Sequence, residues 1–190
     1  MKSAMDNTDL TGHFLIAMPA MQDENFSHTV TYICEHNTNG TLGITINRPS
    51  EFQLAEMLEQ LSIQIKFPSI GLRNIFIGGP VQQDRGFVLH SPNGNWESSL
   101  HVNESVSVTT SRDILQSLAE GNGPEECIIA LGYSGWAPGQ LETEISANAW
   151  LSCPANHQIL FHTPVENIWQ EAAKLLGVDL RLLSNDTGHA

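Results

Sequence analysis

The spacing of hydrophobic residues changes along this chain, and each spacing predicts a different kind of element. Alternation with a period of two predicts strands over residues 27–36 and 41–46, joined by a hairpin turn at Asn39-Gly40. Shorter apolar runs predict further strands over 10–18, 74–77, 86–90, 102–109, 128–131 and 158–162. The core-facing sides of the hairpin carry Val30, Tyr32, Cys34 and His36 on one strand and Leu42, Ile44 and Ile46 on the other.

Helical spacing predicts four helices among these strands. Pro49 ends the hairpin, and Ser50 with Gln53 predicts a capping box for the first helix. The second helix starts at residues 110–113, and the fourth runs from about 164 to 176. The apolar stripes are Leu54, Met57, Leu58 and Leu61 in the first helix, Ile114, Leu115 and Leu118 in the second, and Leu141, Ile145 and Ala149 in the third.

The stretch from 128 to 151 organises the prediction. Its apolar run, 128–131, predicts an interior strand that is buried on both faces, because an edge strand would alternate with polar residues. Gly132, Gly135, Pro138 and Gly139 then predict a turn that leads into the third helix. Such a turn either changes the direction of the chain or aims backbone N–H groups at a ligand, and the first use is the commoner one. Strands outnumber helices without strict alternation, so the fold class is α+β.

Composition indicates one compact domain or two small lobes that share a core. The chain has 190 residues, of which 41% are hydrophobic, and we expect a domain over 10–190 behind a loose lead-in at 1–9. The three cysteines form no C-x-x-C pair, so neither a disulfide framework nor a zinc ribbon is predicted, and a cytoplasmic location fits best. The first residues contain no apolar signal region, and no apolar run is long enough to span a membrane.

The charge balance argues against direct nucleic-acid binding. Eight Lys and Arg against 21 Asp and Glu give a formal net charge of −13, and the excess of acid extends over both halves of the chain. Proteins that bind DNA neutralise its phosphates with several basic residues, whereas this charge repels them. A small ligand or a protein partner is therefore the more plausible binding partner.

The templates for catalysis and metal binding fit poorly. Cys34 and His36 share a strand face but lack a third group that would orient them, so Cys34 is interpreted as an inert core thiol. Ser134 fails the G-x-S-x-G pattern, because Trp136 occupies the place of the second glycine. Glu142 and Glu144 are two residues apart and would diverge on a helix.

The eight histidines form neither H-x-x-x-H nor H-E-x-x-H, so no metal and no cofactor is predicted. A site assembled in space from His90, His162 and a carboxylate is the alternative. Arg48 and Arg112 are the cations that an anionic ligand would use, since each lies where a loop meets a helix start. The alternative for both arginines is a surface ion pair with one of the 21 carboxylates.

Several motifs, in order, resemble those of the AlgH/YqgE family: L-T-G-H-F-L-I-A-M-P, G-T-L-G-I-T-I-N-R-P, F-I-G-G-P-V, G-F-V-L-H, T-T-S-R-D-I-L and L-G-Y-S-G-W-A-P-G-Q-L-E-T-E. The resemblance covers residues 10 to 183. It departs at Ser134 and Ala137, where alanine and glycine are usual, at Thr41 for alanine, and at Ile168 for arginine. It implies a cytosolic bacterial protein with a mixed, bifurcated β-sheet, whose small barrel-like core is flanked by helices. It implies a regulatory role like that of a transcriptional regulator and no established activity.

Three hypotheses about function follow. The first is a non-enzymatic regulatory or ligand-binding protein, without catalytic residues. The second is an enzyme of unrecognised class with a polar cleft around Arg48, Arg112 and residues 133–140. The third is direct DNA binding, which the charge disfavours. The site predicted for a small anionic or polar ligand comprises Asn47, Arg48, Ser111, Arg112, Tyr133, Ser134, Trp136 and Gln140, gathered at the ends of neighbouring strands.

Overall fold

A computed structural model describes residues 8–183 and confirms the mixed α+β class. Ten strands form a curled, mostly antiparallel sheet that closes into a half-barrel, and seven helices flank it within the described range. The strands are β1 His13–Ala17, β2 Val30–Asn37, β3 Gly40–Thr45, β4 Pro49–Gln53, β5 Asn74–Ile77, β6 Val81–His90, β7 Ser99–Asn103, β8 Val106–Thr109, β9 Cys127–Trp136 and β10 Trp150–Pro154. The helices are α1 Leu54–Gln60, α2 Pro68–Gly71, α3 Arg112–Ala119, α4 Gln140–Ser146, α5 His157–His162, α6 Ile168–Lys174 and α7 Leu180–Leu183.

Strand β9 joins the two halves of the sheet. Its first half pairs in parallel with β5 and antiparallel with β6, and its second half pairs with β3. The change of partner occurs near Gly132, which has a φ of +77° and whose Cα faces the backbone oxygens of Gly79 and Val81. A side chain there would need a left-handed backbone and would collide with those oxygens. The bifurcation implied by the family resemblance therefore lies at this glycine.

Hydrophobic cores lie on both faces of β9. Ile128 and Ala130 face the main core, which also contains Tyr32, Ile44 and residues of α5 to α7. Ile129 faces a second core beneath α1 and α3. This confirms that 128–131 is an interior strand buried on both faces. A third cluster places Trp136 and Trp150 against Leu141 of α4.

Several predicted elements have different boundaries. The segment with the four glycine and proline residues is not simply a turn, because β9 continues through Gly132 and Gly135 to Trp136. The predicted strand at 158–162 is wrong, because those residues lie in α5, whose N-cap Asn156 accepts a hydrogen bond from the Ile159 amide. Strand β10 was not predicted at all, since Ala149 beside it continues the helical spacing of α4.

Smaller corrections concern strand ends. The hairpin turn lies at Thr38-Asn39, one residue earlier than predicted, because Gly40 already pairs with Asn37. Pro49 opens β4 rather than ending the sheet, and the capping box is formed by Gln53 with Glu56 instead of Ser50 with Gln53. The predicted strand 102–109 is split into β7 and β8.

Seven of the nine residues of the predicted lead-in, 1–7, lie outside the described residues, and so does the end of the predicted domain, 184–190. Within residues 8–183, the helices are too short and too polar for any of them to cross a bilayer.

Candidate functional site

A cavity opens between helices α1 and α3, above the sheet. Its volume is about 470 Å³. The floor comes from the inward faces of β5, β6 and β9, and the walls come from the two helices. The apolar lining residues are Phe52, Met57, Leu61, Ile75, Val88, Leu115, Ile129 and Leu131, and the polar ones are Glu56, Gln60, Gln83, Asp84, Arg85, Thr109, Thr110, Ser111 and Arg112.

The start of α3 places Arg112 at the mouth of this cavity. Ser111 is the N-cap residue, and its hydroxyl donates a hydrogen bond of 2.5 Å to Asp113. The Glu97 amide donates to the other carboxylate oxygen of Asp113 at 2.8 Å. Burial raises the pKa of Asp113, but these hydrogen bonds outweigh it and hold the pKa below its ordinary value. The Asp113 carboxylate therefore fixes the start of α3, while the Arg112 side chain stays exposed.

Helix α1 forms the opposite wall. In its capping box the Gln53 amide donates a hydrogen bond of 2.8 Å to the Glu56 carboxylate. One of the acidic side chains at the rim is therefore already engaged within the helix cap. Leu54 and Leu58 are buried against the sheet, so Met57 and Leu61 are left to face the cavity. Phe52 stands at the mouth with 49% of its surface exposed.

Arg85 is the second cation at the cavity. Its guanidinium carbon lies 5.4 Å from the centre of the Phe87 ring, and one of its nitrogens donates to the Thr110 hydroxyl at 3.4 Å. Neither Arg85 nor Arg112 forms an ion pair with a carboxylate in the described part of the chain. Sequence reasoning missed Arg85 because it lies inside β6, whereas Arg48 and Arg112 lie at boundaries between predicted elements.

The structure separates the eight sequence-predicted site residues. Ser111 and Arg112 line the cavity. Tyr133 lines a shallower groove on the other side of Arg85 and Thr110, where its ring contacts the edge of Phe87 with centroids 5.6 Å apart. Ligand binding by these three residues stays a prediction.

Asn47 and Arg48 lie elsewhere. The Asn47 side chain accepts from the Val30 amide at 2.8 Å and donates to the His28 carbonyl at 2.9 Å, so it holds the start of β2 in place. The Arg48 carbonyl accepts from the Ile77 amide at 2.8 Å. The Arg48 side chain makes no ion pair within residues 8–183, and it does not line the cavity.

Two more predicted residues, Trp136 and Gln140, belong to a network around Glu144, and Ser134 lies buried on β9. The indole nitrogens of Trp136 and Trp150 both donate to one Glu144 oxygen at 2.9 Å, and the Gln140 amide donates to the other oxygen at 3.0 Å. Ser134 is 1% exposed, and its hydroxyl is the one buried side-chain polar atom without a partner among the described residues. These groups hold β9, α4 and β10 together.

The ring nitrogens of His36, which the sequence placed on the same strand face as Cys34, contact other groups than the Cys34 thiol. His36 accepts a hydrogen bond from the Leu10 amide on Nδ1 at 3.0 Å, and its Nε2 lies 2.7 Å from Glu142. The Glu142 backbone amide and His36 together outweigh burial and lower the pKa of the Glu142 carboxyl. Burial raises the pKa of the Cys34 thiol well above its usual range. Both observations fit an inert Cys34.

His90 and His162 do not come together. His90 is enclosed beside the second core, where Nδ1 donates to the Ser91 carbonyl at 2.6 Å and Nε2 lies 2.7 Å from the Thr109 hydroxyl. Burial lowers the pKa of His90. His162 lies at the exposed end of α5, so the metal site considered for this pair does not form.

Comparison with known proteins places this sequence and fold in a known family. The family described as AlgH-like matches residues 14–181, and the chain belongs to that family. A UPF0301 protein of Nitrosococcus oceani is 53% identical over 94% of this chain and 95% of its own length. A UPF0301 protein of Thioalkalivibrio sulfidiphilus is 54% identical over 97% of this chain and 98% of its own length.

Solved structures agree with this assignment. The solution structure of the AlgH protein from Pseudomonas aeruginosa covers 100% of both chains, with a TM-score of 0.79 and 51% identity. A crystal structure of a Corynebacterium diphtheriae protein covers 93% of this chain and 92% of its own, with a TM-score of 0.72 at 21% identity, and it supports the fold alone.

Proposed function

We propose that this protein is a non-enzymatic, regulatory small-molecule-binding protein whose ligand carries an apolar body and one anionic group. The cavity between α1 and α3 is the binding site. The observation that carries the proposal is the combination of an apolar floor with two arginines that have no carboxylate partner among the described residues.

The size and lining of the cavity support a small ligand. Its volume of about 470 Å³ falls within the range of small-molecule sites. The floor residues Ile75, Val88 and Ile129 are largely buried side chains of three adjacent strands, so the surface beneath the ligand is rigid. Apolar contacts would provide most of the affinity, and the few polar groups would orient the ligand.

The charges at the rim support an anionic group. Arg85 and Arg112 are two of only eight basic residues in a chain with a net charge of −13. Glu56 and Asp84 also lie at the rim, but Glu56 is engaged in the cap of α1. A guanidinium without an anionic partner in a half-enclosed cleft provides strong, charge-assisted hydrogen bonds to a carboxylate or phosphate.

The lining does not support catalysis. Thr109 is the nearest approach to a nucleophile with a base, since its hydroxyl lies 2.7 Å from His90 Nε2. That hydroxyl also bonds Ser99 at 2.7 Å, and the Thr109 side chain is 0% exposed. A substrate atom could not reach it without a rearrangement of β8, so a binding role fits this geometry better.

The test measures binding of three probes with the same ten-carbon chain: decanoate, decanol and decylammonium. We expect decanoate to bind most tightly by isothermal titration calorimetry. Arg112→Gln and Arg85→Gln should each weaken decanoate about tenfold or more, because one charge-assisted hydrogen bond contributes about 1.5–3 kcal/mol. Arg48→Gln is the matched control. Unchanged decanoate binding in that variant would show that the ligand occupies this cavity and not the wider cleft predicted from the sequence, which included Arg48.

A cavity-filling variant tests the location independently. Gly86 lines the cavity, and an added Cβ would make only an ordinary 3.8 Å contact with Met57. Gly86→Val should therefore fold and should abolish decanoate binding. Unchanged binding in Gly86→Val, or preference for decylammonium, would refute the proposal.

Location and partners complete the proposal. All three cysteines are free thiols, which fits a cytoplasmic location. We propose that regulation acts through a protein partner. The isolated protein does not bind DNA, because its net charge of −13 opposes contacts with phosphates. Tight, salt-sensitive binding of the purified protein to duplex DNA would contradict this part.

A further inference from the structure

We propose that Glu126, His157 and His162 form a binding site for a zinc ion that links the start of β9 to α5. This site is separate from the cavity, since none of the three residues lines it. The sequence predicted no metal, and the two histidines are not the pair that it raised as an alternative.

The three side chains already converge. His157 Nε2 lies 2.9 Å from Glu126 Oε2, and His162 Nε2 lies within hydrogen-bond distance of the same oxygen. One potential ligand atom from each residue lies within 4.8 Å of the other two. Tetrahedral bonds of about 2.0–2.1 Å place zinc ligands roughly 3.3 Å apart, so only small side-chain rotations are needed to admit the ion.

The backbone that carries these groups is held on both sides. Glu126 directly precedes β9, and its carbonyl accepts from the Ser91 amide at 3.3 Å. Helix α5 is anchored by its buried residues Ile159 and Leu160, which belong to the main core. The ring of His157 contacts the edge of Phe161, with centroids 4.9 Å apart. The ligands therefore converge on a scaffold that is rigid before the metal binds.

The ligand types select the metal. Two imidazole nitrogens and one carboxylate oxygen suit zinc and neighbouring transition metals, whereas Mg²⁺ and Ca²⁺ prefer oxygen ligands alone. The side chains of His157 and His162 are 44% and 47% exposed, so water can reach the site and complete the fourth position. Both histidines would bind through Nε2 and keep their proton on Nδ1.

The test uses the full chain without a histidine tag, freed of metal with a chelator. Titration against a zinc-sensitive chromophore should give one ion per chain, and saturating zinc should raise the melting temperature by about 5 °C. His157→Ala, His162→Ala and Glu126→Gln should each weaken zinc binding at least tenfold. His101→Ala, which removes a histidine on β7, should leave it unchanged.

Cobalt gives an independent readout. Co²⁺ bound to the wild-type protein should show the visible absorption of a tetrahedral site, and this absorption should disappear in His157→Ala. The exposed position of the ligands means that these variants should fold, which circular dichroism verifies. Zinc binding that is equally strong in the double variant His157→Ala/His162→Ala, or a wild-type protein that binds no zinc, would overturn the proposal.

Discussion

Removing the Glu144 carboxylate should destabilise the protein more than removing the other carboxylate of α4, Glu142. Two buried tryptophans, Trp136 and Trp150, each donate an indole N–H to the same Glu144 oxygen at 2.9 Å. These rings are 5% and 2% exposed, so in Glu144→Ala both N–H groups would lose their acceptor in a mostly apolar surrounding. The network also joins strands β9 and β10 through a single side chain.

The magnitude follows from the hydrogen bonds. A bond to a charged acceptor contributes about 1.5–3 kcal/mol, and the lower value applies here because Glu144 is only half-buried. Two such bonds predict a loss of about 3 kcal/mol, or roughly 6–12 °C in melting temperature for a chain of this size. Glu144→Gln keeps an amide oxygen as an acceptor, so its cost should be about 1–2 kcal/mol.

Urea unfolding monitored by circular dichroism measures these differences. Glu142→Ala is the control on the same helix, since that side chain is 41% exposed and pairs with a single residue, His36; its cost should stay at about 1 kcal/mol. The indole N–H signals of Trp136 and Trp150 should also move in the nuclear magnetic resonance spectrum of Glu144→Ala. A cost below about 1 kcal/mol, or unchanged indole signals, would refute the argument.

Three further predictions concern buried polar groups. Ser134→Ala should raise the free energy of unfolding by about 1 kcal/mol in urea, because the lost hydroxyl has no partner among residues 8–183; a destabilised variant would contradict this. Burial holds the pKa of His90 below its ordinary value of 6.5, so at a pH just below 6.5 the unfolded chain binds more protons than the folded protein. Stability should therefore fall as the pH drops below 6.5, and more steeply than in His90→Asn; equal slopes in urea titrations would argue against it. Thiol labelling of Cys34 in the native protein should be slow, because burial raises the pKa of that thiol, and labelling at the rate of a free thiol would show that it is accessible.

Much of the sheet could be predicted because its strands have two distinct faces. In β2, Val30, Tyr32 and Cys34 face the main core as alternation requires, and the run 128–131 is buried on both sides of β9. One error arose from a glycine. A glycine inside an apolar segment usually marks a turn, but Gly132 instead lets β9 change partners without ending.

The structure brings together only some of the residues predicted for a ligand site, because that prediction relied on a rule for parallel sheets. Ligands bind where the ends of parallel strands meet, and that rule placed Arg48, Arg112 and the segment 133–140 together. Most neighbouring strands here are antiparallel, so consecutive strand ends lie at opposite edges of the curled sheet. The cavity forms instead over the middle of the sheet, where Arg85 in β6 contributes and Arg48 does not.

The three residues of the proposed zinc site show how one wrongly predicted element can conceal a cluster of side chains. Residues 158–162 were predicted as a strand, and an extended chain from His157 to His162 would separate the two histidines by about 16 Å, because a strand rises about 3.3 Å per residue. In helix α5 the rise is about 1.5 Å per residue, which reduces the separation along the axis to about 7.5 Å. Side chains of that length can then meet a common carboxylate. The partner, Glu126, is 31 residues away from His157 in sequence, and only the position of α5 beside the start of β9 brings it within reach.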